Sequence, residues 1–115
     1  MLPVKYRLGG RKQIAKLARF GKRFTASHFS LRVLAVDESI CRFAVVVAKQ
    51  KGLTAAARNR LKRRLRETVR QAAPDMRPGI HVLVKTSGSA ETLRNVSGAD
   101  IKKELHLLFH KASIL

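Results

Sequence analysis

The chain has 115 residues, the size of one domain, and carries 25 Lys and Arg against 7 Asp and Glu, a formal net charge of +18. With 45% hydrophobic residues it can fill a core, and self-repulsion on this scale calls for a polyanionic partner whose counterions are released on binding. The composition excludes a membrane span of about 20 apolar residues. It also excludes a disulfide or zinc-holding cysteine pair, because Cys41 is alone. No apolar segment follows Met1-Leu2-Pro3-Val4 to make a signal peptide. The expectations are a single domain over residues 1–115, cytoplasmic, partnered by nucleic acid and not by a membrane.

In chain order, Lys12 to Phe20 places Ile14, Leu17 and Ala18 at helical spacing, with Gly21 set to end the helix as a left-handed residue. Phe29, Leu31, Val33 and Ala35 alternate with His28, Ser30, Arg32 and Leu34, the pattern of a strand with one buried face. Asp37-Glu38-Ser39 turns the chain into Ile40 to Ala48, a nearly continuous apolar run that suits a central strand. Cys41 begins that run and reads as a buried structural thiol. Thr54 can cap a helix running to about Ala73, where Pro74 disfavours further helix. Gly79 to Thr86, rich in Ile and Val, is the third strand. Ser97 and Asp100 open a last helix with Ile101, Leu105, Leu108, Phe109 and Ala112 on one stripe. The reading is an α+β domain of order α-β-β-α-β-α.

The second helix concentrates the charge. On a helical wheel Leu61, Leu65, Thr68, Val69 and Ala72 form one apolar stripe. Opposite lie Asn59, Lys62, Arg63, Arg66 and Arg70, with Arg58 and Arg64 at the flanks and Arg60 beyond. A solvated helix held by ion pairs interleaves both signs, whereas Arg58 to Arg70 contains the single acid Glu67. Arginine forks grip phosphate oxygens bidentately and stack on unpaired bases, and the Asn59 amide can read a base edge or a ribose hydroxyl.

Other chemistry is thin. His106 and His110 are spaced i, i+4, but His-Leu-Leu-Phe-His lacks the glutamate of a zincin motif and a third ligand, so a solvated or phosphate-facing pair is expected. His28 and His81 read as strand residues near a surface. No two acids sit on one element in a spacing suited to general acid/base work or two-metal cleavage. A nuclease acting through its own side chains would need such a constellation. A ribosomal-type RNA-binding protein or RNA chaperone would account for the charge.

The run Arg58-Asn59-Arg60-Leu61-Lys62-Arg63-Arg64-Leu65-Arg66-Glu67 resembles the R-N-R-x-K-R-x-x-R-E signature of the bacterial ribonuclease P protein family. Met1-Leu2-Pro3, Tyr6-Arg7-Leu8, Gly21-Lys22-Arg23-Phe24, Arg42-Phe43, Ala48-Lys49 and Pro78-Gly79 follow the family's order around it, so the resemblance spans nearly the whole chain. It implies an α/β sandwich with a left-handed βαβ crossover, similar to a fold of ribosomal proteins. It implies a protein subunit that binds a catalytic RNA and assists Mg²⁺-dependent removal of the 5′ leader from precursor tRNA. By the same resemblance the RNA would hold the Mg²⁺ and perform hydrolysis, and the protein would carry no catalytic residue or cofactor and sit as a monomer in a one-to-one complex. By motif, Arg58, Asn59, Arg60, Lys62, Arg63, Arg66 and Arg70, with Lys49 nearby, would contact RNA. A cleft between the first helix and the sheet would hold the leader through Ile14, Ala18, Phe29 and Arg32. In the register set by Arg7-Leu8 and Phe29, Ile14, Ala18 and Arg32 stand where the family has aromatic rings. Ala44 replaces a usual glycine, and the connection from Lys49 to Arg58 is one residue longer than is commonest.

Overall fold

The computed structural model describes residues 2–115, so the Met1 of the family-like opening lies outside the described residues. Helix α1 (Arg11–Phe20) leads into strands β1 (Lys22–Thr25), β2 (Phe29–Ala35) and β3 (Cys41–Val46). Helix α2 (Ala55–Ala72) then crosses to β4 (Ile80–Thr86), followed by helices α3 (Ala90–Asn95) and α4 (Gly98–Lys111). The sheet order is β1-β2-β4-β3, with β3 and β4 parallel and the other pairs antiparallel. The mixed α+β class and the expected elements are present, together with two that the sequence pattern hides. Strand β1 holds one apolar residue among Lys22-Arg23-Phe24-Thr25 and survives as a charged edge paired only with β2. Helix α3 is too short for a periodicity to register and is started by Ser89, whose hydroxyl accepts the Thr92 N–H at 3.3 Å.

Two hydrophobic clusters lie on opposite faces of the sheet. On one, α2 and α4 bury Leu61, Leu65, Val69, Ile101, Leu105 and Phe109 against Phe29, Leu31, Phe43, Val82 and Val84. On the other, Leu17 of α1 covers Ala44, Leu83 and Leu8, with Ile14, Leu34 and Val46 around them. The buried residues of α2 are Leu61, Leu65, Thr68, Val69 and Ala72, the stripe given by the wheel. Thr54 caps this helix by accepting the Ala57 N–H at 3.1 Å. Thr54→Ala should therefore cost about 1 kcal/mol in urea denaturation, with RNA contacts untouched.

Three local expectations change. The run from Ile40 to Ala48 forms β3 at an edge, because its outer side is closed by the amino-terminal segment: Arg7 bridges Phe43, and the Leu8 N–H reaches the Phe43 carbonyl at 2.7 Å. Gly21 ends α1 with φ −68°, not in the left-handed region. Glycine is required there by proximity, since a Cβ would lie 2.5 Å from the Leu17 carbonyl oxygen and 3.2 Å from the Arg32 Cβ. His81 is buried on β4, with its Nε2 3.2 Å from the Glu38 carboxylate. Burial pushes the Glu38 carboxyl up, but His81 and Arg42 more than reverse this and hold it below its usual range. Cys41 is buried as expected, and desolvation pushes its thiol up to about 12. The native protein should thus resist iodoacetamide at pH 8 and react only after denaturation; fast alkylation of folded protein would contradict this burial.

Candidate nucleic-acid interface

The placement of α2 follows from its cap, its apolar stripe and the loop before it. In that loop Gly52 takes φ +87°, its carbonyl accepts from Arg94 of α3 at 2.5 Å, and Gln50 donates to the Gly88 carbonyl at 3.2 Å. Residues 51–52 form a turn in the connection from Lys49 to Arg58. With the stripe against the sheet, Asn59, Arg60, Arg63, Arg64 and Arg66 are exposed, while Arg58, Lys62 and Arg70 are partly so. Asn59, Lys62, Arg63 and Arg66 converge with Glu67 around an open depression of about 390 Å³. Arg70 is spent differently, since its guanidinium pairs with Glu67 one turn back and holds that carboxyl below its ordinary range. Among the described residues Arg58, Arg60, Lys62, Arg63 and Arg66 make no ion pair. Lys49 is exposed in the loop before α2 and does not line the depression.

Arg66 also lines a recess at the β3 edge of the sheet, bounded by Leu2, Phe43 and Val45 from the α2 side as well as by residues from the α1 side. This recess, of about 280 Å³, is also lined by Arg7, Leu8, Ile14, Ala44 and Val46, beneath the start of α1. A second recess, of about 250 Å³, lies between α1 and the sheet and is lined by Ala18, Arg23, Ser30, Arg32, Leu83 and Lys85. Ile14, Ala18 and Arg32 thus face the predicted cleft. Phe29 does not. Alternation along β2 puts it on the opposite face, wholly buried in the α2 and α4 core, and it must be removed from the cleft residues. Sequence reading missed Arg7, Arg23 and Lys85. Arg23 sits on the unrecognised β1, and Lys85 is the one exposed residue of β4.

The carboxylates near histidines serve packing. Glu104 of α4 accepts the His28 and Phe29 N–H groups at 2.6 and 3.3 Å and meets His28 Nδ1 at 2.8 Å, pinning the start of β2. His106 lies against the ring of Phe109, and His110 is exposed. Among the described residues no three His, Cys, Asp or Glu side chains are grouped to hold a metal ion, and no helix is long and apolar enough to cross a membrane.

Comparison with known proteins gives one consistent result. The profile of the family Ribonuclease P matches residues 2–113. The ribonuclease P protein component of Pseudanabaena sp. is 32% identical over 107 residues, which cover 91% of this chain and 92% of that protein. That of Synechococcus sp. is 29% identical, covering 100% of this chain and 87% of the relative. Among solved structures, the RNase P protein from Thermotoga maritima superposes with a TM-score of 0.78 at 25% identity, over 90% of this chain and 96% of that one. A Staphylococcus aureus RNase P protein mutant superposes with a TM-score of 0.85 at 17% identity, over 96% of this chain and 91% of its own, a likeness of fold.

Proposed function

Because the chain belongs to the ribonuclease P protein family, its work is done inside a ribonucleoprotein endonuclease that matures tRNA 5′ ends, and we propose which surfaces do it. The exposed face of α2, with Arg58, Asn59, Arg60, Lys62, Arg63 and Arg66, docks on the catalytic RNA; Arg70 and Lys49 extend it at the edges. The cleft beside α1, with Ile14, Ala18 and Arg32, receives the 5′ leader of precursor tRNA. The observation that carries this assignment is the run of cations on α2 that make no ion pair among the described residues, of which Lys62, Arg63 and Arg66 line one depression and Arg66 also lines the recess at the β3 edge. The single acid of that run, Glu67, is engaged by Arg70, so the remaining cations gain most from phosphate oxygens. The protein acts in the cytoplasm as one copy per RNA, holds no cofactor of its own, and leaves hydrolysis to Mg²⁺ bound by the RNA.

The test is filter binding of the purified chain to ribonuclease P RNA and to an unrelated structured RNA of equal length, across a salt series. Preferential binding to ribonuclease P RNA, reduced by Arg63→Ala, is expected. Equal affinity for both RNAs would favour a general RNA-binding or chaperone role.

A further inference from the structure

We infer that the recess between α1 and the sheet grips the phosphodiester backbone of a single strand and not its bases, through Arg23, Arg32 and Lys85. This deepens the assignment of the cleft to the leader and rests on it. The sheet register places Arg23 of β1 directly opposite Arg32 of β2, and Lys85 of β4 opposite Ser30, two residues before Arg32 on the same face. These cations, with Ser30, Ala18 and Leu83, line a space of about 250 Å³ that no carboxylate and no aromatic ring enters. Like charges directly across a strand pair destabilise a sheet, and among the described residues no acid pairs with these three. An anion seated between the three would relieve them.

The geometry also prepares Arg32 for that anion. Its Nη1 donates to the Gly21 carbonyl at 3.2 Å. That approach is open because residue 21 has no side chain, and a Cβ there would lie 3.2 Å from the Arg32 Cβ. One bond fixes the guanidinium, and most of its five donors stay free for phosphate oxygens. Ala18 and Leu83 offer a small apolar floor with no π-face on which bases could stack. Recognition built this way is indifferent to leader sequence and sensitive to leader charge.

The experiment uses holoenzyme reconstituted from this chain and ribonuclease P RNA, with three precursor tRNAs and mature tRNA. One precursor has a natural leader of several nucleotides, one a leader of abasic residues with intact phosphates, and one a leader with neutral methylphosphonate linkages. The abasic leader should keep the affinity increment over mature tRNA, and the neutral leader should lose it. Arg23→Gln and Lys85→Gln, both at exposed positions, should each lower the salt slope of the increment by about 0.7, as expected for one single-strand phosphate contact. Loss of the increment with the abasic leader, or its retention with the neutral one, overturns the inference. A natural leader that adds no affinity at all removes the leader assignment beneath it, and the inference with it.

Discussion

Leu65→Ala should lower the stability of the isolated chain by about 2–5 kcal/mol, a large part of the roughly 5–15 kcal/mol available to a domain. Leu65 is fully buried at the middle of the α2 stripe, in the cluster shared with α4 and the sheet. Truncation removes the transfer energy of the side chain and leaves a void that neighbouring strands cannot close. Urea denaturation followed by circular dichroism reads the effect as a shifted midpoint with an unchanged slope. A loss below about 1 kcal/mol would mean that α2 is not seated on the sheet as described.

Its neighbours on the helix should behave in the opposite way. Arg63→Ala and Arg66→Ala, made singly, should leave the denaturation midpoint within about 0.5 kcal/mol of the parent, because both side chains are exposed and neither makes an ion pair among the described residues. Affinity for ribonuclease P RNA should fall roughly tenfold or more, since a charge-assisted hydrogen bond contributes about 1.5–3 kcal/mol when its partner is desolvated. The salt dependence of binding should become shallower by about one phosphate contact in each variant. Arg66→Ala should also weaken discrimination between precursor and mature tRNA, because Arg66 lines the recess under α1 as well as the α2 depression. Unchanged RNA affinity in both variants, or loss of helical signal, would contradict this division between core and RNA-facing sides.

Much of this was legible before any coordinates. The α2 stripe and its basic complement follow from helical periodicity alone, because a long helix repeats its pattern often enough to fix its orientation. Charge already pointed to nucleic acid, and the signature from Arg58 to Glu67 then narrowed that partner class to the RNA of one family. What stayed hidden depended on contacts distant in sequence. β3 reads as central from its apolar run, yet it is an edge strand whose free side is closed by Arg7 and Leu8. The edge strand β1 has no alternation to betray it, and with it went Arg23. Phe29 was placed in the cleft by family register, whereas strand alternation puts it on the core face, a conflict that the pattern through Leu31 already contained.

The central claim is that this chain assists an RNA catalyst and does not cleave on its own. Precursor tRNA should be incubated at low Mg²⁺ with the purified chain alone, with ribonuclease P RNA alone, and with both together. The account predicts 5′ leader removal in the combined sample and little in either single-component sample. Cleavage by the chain alone, or no gain from adding it to the RNA, would contradict it.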